Sequence, residues 1–317
     1  MTRWRVNADD EGHRLDAWLA RRPEVGSRGR ARTWLERGKV FLNGAAVGFP
    51  DAGRRLQAGD EVGLWVDRPG TASAARREVR DLRDQLRIVR EDAALLVADK
   101  PAGLLVEPLP GEAGAEPTLL DLVADHLRNA VQVRPLVVHR IDRDTSGLVL
   151  FAKTRAAQEA LKDQFERRTP SRVYVAVVQG LVTPQAGTWR DRLVWDKVQL
   201  RQRRAHPQDA HAKEAIARYR VVEQFADATV LEVSLVTGKR NQIRVQAGLR
   251  GYPIVGERLY RFGVARGTGP TLDRQALHAA RLAFTHPVSG KQVRVTAPVP
   301  GDLRELLARL KGERRRG

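Results

Sequence analysis

LVVHRIDRDTSGLVLFAK, residues 136–153, decides how this 317-residue chain is read. Two apolar runs, Leu136–Val138 and Leu148–Ala152, flank a polar stretch that is too short for a helix and rich in turn formers. Strands joined by a tight turn are the local structure that this pattern favours. Within His139–Gly147 the turn gathers two carboxylates, two guanidiniums, a histidine and two hydroxyls at a strand edge. On these residues alone two readings stand. Asp144, Thr145 and Ser146 suit hydrogen bonds to their own backbone, which would make a plain solvated turn. Alternatively the cluster is a reactive site. A hydrolase built on His139 and Ser146 is one form of that second reading, but these groups sit on one turn with no nucleophile elbow.

Further strands are predicted on either side. Ala93–Ala98 and Pro135–Val138 are short apolar runs, while Ser146–Lys153, Arg172–Val178 and Thr229–Val236 are β-branched and bounded by Gly, Pro or charge. Arg155–Arg168 repeats Ala157, Leu161 and Phe165 at helical spacing. Strands separated irregularly by few helices predict an α+β catalytic domain on a mostly antiparallel mixed sheet with flanking helices, not a doubly wound one.

The N-terminal 66 residues read as a separate α/β module. His13–Ala20 puts Leu15, Trp18 and Leu19 on one helical face. A second helix near Arg28–Arg37 turns Trp34 and Leu35 inward, leaves Arg28, Arg30 and Arg32 available outward, and is stopped by Gly38. Val40–Gly44 is a strand entering an Asn-Gly turn, and Leu56–Val62 a turn and strand. Asp67–Arg77 (DRPGTASAARR) lacks apolar periodicity, so residues 67–85 are expected to link this module to a domain spanning 86–310, followed by a basic tail, 311–317.

Composition narrows the function. The absence of cysteine excludes disulfides, thiolate zinc sites and cysteine nucleophiles. No run of eighteen apolar residues suggests a membrane span, and the first residues lack the apolar core of a signal peptide, so a cytoplasmic protein is expected, monomeric by default. There is no GxxxxGK[ST] phosphate loop and no GxGxxG fingerprint. His206 and His211, five apart in an arginine-rich stretch, suit the surface better than a metal, and no metal or cofactor is expected. Lys and Arg number 56 against 38 Asp and Glu, a net charge of +18 that favours a polyanionic partner, most commonly nucleic acid.

HRIDRDTSGL, residues 139–148, closely resembles the signature of the RluA-type pseudouridine synthases, HRLDxxTSGL. Three further segments agree in the family's order. Asp99–Val106 (DKPAGLLV) resembles its KPAGL entrance segment and Arg172–Gly180 (RVYVAVVQG) its tyrosine strand. Thr237–Val245 (TGKRNQIRV) with Gly251–Gly256 (GYPIVG) resembles its TGRTHQIRVH and GHPIVGD segments. Leu277–Ala279 and His286–Pro287 are later landmarks, and the resemblance spans roughly residues 86 to 300. The N-terminal module resembles the alpha-L RNA-binding motif shared with a small-subunit ribosomal protein, a resemblance that implies RNA contacts at Arg28, Arg30 and Arg32. Asn241, Gln246, Glu107 and Arg172 depart from the usual residues, at positions that bear on substrate identity.

The resemblance implies a cofactor-independent isomerase that converts uridines of structured RNA, with ribosomal RNA favoured and transfer RNA the other candidate. Asp142 would be the nucleophilic carboxylate, Arg244 its ion-pair partner, and Tyr174 the ring that stacks on the target base and a candidate acceptor of its proton. Arg140 would enter the space left by the flipped base. Lys100, Arg143 and Leu277 complete the expected substrate contacts, the two cations near phosphate or in scaffold pairs. A non-catalytic RNA-binding or ribosome-assembly protein on the same fold is the alternative.

Overall fold

The computed structural model describes residues 1–36, 38–66, 86–108, 117–130, 133–196, 199, 201–263 and 269–314. The expected linker, 67–85, lies outside them. The chain divides into two units, Met1–Asp84 with Pro108–Thr118, and Gln85–Glu107 with Leu119–Gly317.

In the first unit, strands β1 (Thr2–Arg5), β2 (Val40–Leu42), β3 (Ala45–Val47) and β4 (Glu61–Leu64) form an antiparallel sheet in the order β1-β4-β2-β3. Helices α1 (Leu15–Ala20) and α2 (Arg28–Glu36) share its core through Leu15, Trp18, Leu19, Ala31, Trp34 and Leu35. The Asn-Gly turn between β2 and β3 has both residues at positive φ, Asn43 at 51° and Gly44 at 80°, as a tight two-residue hairpin requires. Asp16 on α1 has no exposed side chain and accepts from Arg14, Arg28 and Arg32. Two of the three α2 arginines expected outward, Arg28 and Arg32, thus stay about half exposed while each gives a donor to a buried carboxylate, and Arg30 lies over the Trp34 ring.

The second unit is built on β5 (Arg87–Glu91), β6 (Leu95–Lys100), β7 (Leu136–Val137), β8 (Ser146–Ala152), β9 (Ser171–Gln179), β10 (Ala186–Asp196), β11 (Arg201–Arg204), β12 (Lys213–Gln224), β13 (Ala228–Leu235), β14 (Leu277–Thr285) and β15 (Gln292–Thr296). They make one sheet in the order β11-β10-β12-β13-β9-β14-β8-β6-β5, with β15 on β14 and β7 on β8. Only β14 and β8 run parallel among the described pairs, so the sheet is mixed and mostly antiparallel, as the sequence predicts.

Both faces of β8 are covered. Its alternation sends Leu148, Leu150 and Ala152 to one core and Val149 and Phe151 to the other. The first core takes Ala157 and Leu161 of α4 (Arg155–Glu166), which Thr154 caps by accepting from the Ala157 N–H. The second takes Leu119, Val123 and Leu127 of α3 (Leu119–Ala130) and Leu303, Leu306 and Leu310 of α6 (Gly301–Arg314). Helix α6 continues through Arg314, so residues 311–314 of the expected basic tail are helical, and 315–317 lie outside the described residues. Helix α5 (Gln242–Gly248) is buried at all seven positions. No described helix is long and apolar enough to cross a membrane.

The parallel junction of β8 and β14 demands glycine. Gly147 has φ 112°, and a Cβ there would stand 2.3 Å from the Ala279 carbonyl oxygen and 2.7 Å from its nitrogen. Backbone cannot yield as a side chain can. Gly147→Ala is expected to destabilise this unit by on the order of 3 kcal/mol, read as a lower melting temperature; an unchanged transition would mean the junction relaxes freely.

Candidate active site

The turn between β7 and β8 is pinned from several elements. Thr145 N–H donates to the Asp142 carbonyl at 3.1 Å, and Gly103 N–H to that of Arg143 at 3.0 Å. From the segment entering β14, Arg274 donates to the Asp144 carbonyl at 3.2 Å and Gln275 to the Thr145 hydroxyl at 3.3 Å. Arg274 is itself held by Asp302 of α6 through two hydrogen bonds of 2.6 and 3.0 Å. Lys100 closes the underside. Its buried ammonium donates to the carbonyls of Pro101, Leu104 and Arg143 at 2.8, 2.7 and 2.6 Å. All three protons are used within the fold, which is the scaffold form of the two placements expected for Lys100. Burial pushes Lys100 down to about 7, against the attraction of Asp144 and Asp142.

Asp142 projects from this turn with a quarter of its side chain exposed and its Oδ2 3.1 Å from Nη1 of Arg244. Sequence places the two residues a hundred positions apart, and α5 brings them together. Behind them stands a group the sequence reading does not include, Glu257, whose side chain is fully buried. It accepts from Nε and Nη2 of Arg244 at 2.7 and 2.9 Å, and from the N–H groups of Arg258 and Leu259 at 3.0 and 2.8 Å. Burial opposes the Arg244 charge, but the bonds and attraction of Glu257, joined by Asp142, leave its pKa above the ordinary arginine value. Burial likewise opposes the Glu257 charge, and Arg244 outweighs it, so that carboxyl sits below its usual range. The only sequence signal for Glu257 was an acidic residue directly after GYPIVG.

Tyr174 on β9 is buried in the same core as Ile141 and Leu277. Burial pushes its phenol up to about 12; Arg172 pulls the other way and Asp142 adds to the rise. At neutral pH the site therefore meets a neutral aromatic ring. Arg140 is exposed and donates to Glu107 at 3.0 Å, a surface pair worth little to stability. Arg143 is half-buried, its carbonyl held by Lys100 and Gly103.

His139 and Ser146 do not meet as a hydrolase needs. His139 stacks on Phe165 at 4.7 Å and accepts from the Leu150 N–H at 3.1 Å, and burial, with Arg172, pushes it down to about 3. Ser146 pairs instead with buried His278 at 3.0 Å. Gln246, another departure from the family pattern, is fully buried and donates to Asp191 at 2.7 Å. Among the described residues no three His, Asp or Glu side chains gather as a metal site.

Asp142 on its turn, Arg244 on α5 locked by Glu257, and the neutral phenol of Tyr174 on β9 are thus contributed by separate elements of this unit. Residues 94–248 match the family described as RNA pseudouridylate synthase. The uncharacterized RNA pseudouridine synthase YlyB of Bacillus subtilis is 35% identical over 312 residues, covering 96% of this chain and 97% of its own. The chain belongs to the RNA pseudouridine synthase family. Ribosomal large subunit pseudouridine synthase D of Pseudomonas aeruginosa is 36% identical, with 96% of this chain and 93% of that protein covered. Human RNA Pseudouridylate Synthase Domain Containing 4 shares the fold at a TM-score of 0.61 and 18% identity, over 76% of this chain and 98% of its own. This synthase is thus an isomerase acting on RNA, and a non-catalytic binder on the same scaffold is set aside.

Proposed function

We propose that this synthase isomerises uridines of ribosomal RNA with Asp142 as nucleophile; the observation that carries the reading is the Asp142–Arg244 pair backed by buried Glu257. In the reaction the bond from uracil N1 to ribose C1′ breaks and a bond from C5 to C1′ forms. The C5 proton leaves and N1 gains one, so composition and oxidation state are unchanged. The chain's own part is to present a carboxylate to the nucleoside, hold the detached base in a dry pocket and receive the C5 proton.

In this reading Tyr174 and Leu277 form the walls of that pocket, consistent with their burial beside Ile141. A phenol that stays neutral to about pH 12 serves first as a stacking surface. Arg140, half of whose side chain is exposed and which pairs with Glu107 at the surface, would exchange Glu107 for the gap in the RNA stack. Large-subunit ribosomal RNA is favoured because relatives covering nearly the whole chain carry that substrate in their names. Transcripts of that RNA carrying tritium at uridine C5 should release label to solvent on incubation with the synthase, and transfer RNA transcripts should release less. Absence of release from any RNA would overturn the reading.

The N-terminal unit is proposed to grip the RNA backbone. Arg14, Arg28 and Arg32 fan out around Asp16 with 44–55% of each side chain exposed, a fixed cationic face that a loose arginine run would lack. Arg28→Gln with Arg30→Gln, which leaves Arg14 and Arg32 on Asp16, is expected to weaken RNA binding and flatten its log–log salt dependence by roughly 1 to 2. An unchanged salt slope would remove these residues from the interface.

A further inference from the structure

Asn241 lies directly before α5 in the left-handed region, at φ 54°, a backbone position asparagine tolerates better than most residues. Its amide sits between the Asp142 carboxylate and the hydroxyl of Tyr260, whose side chain is fully buried. The Tyr260 oxygen already accepts from the Gln202 N–H of β11 at 3.0 Å. Its own proton needs an acceptor, and the amide oxygen of Asn241 stands 3.0 Å away. With the oxygen so turned, the amide nitrogen donates to Oδ1 of Asp142 at 2.9 Å and to Oδ2 at 3.0 Å. The opposite orientation would face an amide oxygen against a carboxylate and strand the phenolic proton.

We propose that Asn241 is the positioning residue of the nucleophile, with its orientation set by Tyr260 and, through it, by the β10–β11 hairpin. This inference rests on Asp142 being the reacting carboxylate. Arg244 alone holds one oxygen and would let the carboxylate swing about that contact; the amide adds a second anchor. The two oxygens then differ. Among the described residues Oδ2 receives both Arg244 and Asn241, whereas Oδ1 receives Asn241 only. Oδ1 keeps the greater share of its lone pairs and is the atom directed at the nucleoside. Because the amide is neutral, it orients the carboxylate without adding a second positive charge that would blunt its nucleophilicity.

The test compares Asn241→Asp, Asn241→Ala, Tyr260→Phe and Asp142→Asn in single-turnover tritium release, with RNA affinity and melting temperature measured on each. Asn241→Ala should slow release by about 10- to 100-fold, as loss of a hydrogen bond to a charged group implies, with RNA affinity unchanged. Asn241→Asp gives the sharper result. It places a second carboxylate beside Asp142, and the pair shares one proton until the pH rises through its upper, raised titration. A protonated Asp at 241 still donates to Asp142; an ionised one repels it. The variant should therefore be active in mild acid and lose rate as pH rises, over a range in which the natural enzyme does not. The charged and titratable groups facing the pair are Arg244 with Glu257 behind it, Lys100 beneath the turn, and the phenols of Tyr174 and Tyr260; all are common to both proteins.

Tyr260→Phe keeps Asn241 in place but frees its amide to turn, and about a tenfold slower release is expected should Asn241→Ala fail to fold. Wild-type rates for Asn241→Ala and Tyr260→Phe, or an Asn241→Asp variant whose pH profile matches wild type, overturn the proposal. Asp142→Asn separates the two levels of argument: if it is inactive while the Asn241 variants are normal, only the positioning role falls, and if it is itself active, the reading of the site falls.

Discussion

Asp142→Asn should lower the rate of pseudouridine formation by about 10⁴-fold or more, the scale on which enzymes lose activity when a nucleophile is removed, while RNA affinity stays within a few-fold of wild type. The substitution is isosteric. Arg244 keeps its two bonds to Glu257, so the guanidinium does not become a free buried charge. The turn that carries residue 142 is fixed through backbone carbonyls and the Thr145 side chain, none of which the substitution touches. What disappears is the charge and lone-pair basicity presented to the nucleoside. Tritium release and a filter-binding titration on the same preparation read the two quantities apart. A variant that still isomerises at the natural rate would assign the chemistry to another group.

Glu257→Gln should act on stability as well as on rate. A fully buried carboxylate that neutralises a mostly buried guanidinium and accepts backbone N–H groups cannot be neutralised without leaving the Arg244 charge to Asp142 alone, a loss of about 3 kcal/mol. For a unit of this size that lowers the melting temperature by on the order of 10 °C. The rate should fall too, because Arg244 is then held by Asp142 alone and both side chains gain freedom. The pH dependence has a definite sign. The carboxyl of Glu257 titrates below its usual range when folded, so its contribution is complete above the unfolded pKa and is lost as pH falls through the folded value. The acid-side loss of stability should be shallower in Glu257→Gln than in wild type. A melting temperature and acid limb matching wild type would show that the pair carries no net stability.

Much of the second unit was legible because its strands obey simple patterns. β8 and β9 are apolar, β-branched and bounded by turn chemistry, and α4 repeats its apolar residues every four positions. Other elements hid for a physical reason. In β10 the buried face is Trp189, Asp191 and Leu193, and the acid breaks the apolar alternation. Asp191 is tolerated there because Gln246, Arg250 and Arg204 reach it from elsewhere in the chain. Helix α5 is buried on every side yet carries Gln242, Arg244 and Gln246, so it shows no amphipathic stripe. Gln242 finds Thr237 five residues before it, but Arg244 and Gln246 are satisfied by Glu257 and Asp191, which local sequence does not place beside them.

The same division runs through the active site. Sequence by itself determined the residue types of the turn, the basic balance of the chain, the mixed sheet and, through four ordered motifs, the family. Tertiary structure alone decided which charges meet. It tied Lys100 to three carbonyls, turned Arg28 and Arg32 toward Asp16, and set Glu257 and Asn241 around the Asp142–Arg244 pair. The reason is range. Periodicity and turn chemistry act between residues a few positions apart, whereas a buried charge is stable only where partners from distant segments arrive together, and no local pattern records their arrival.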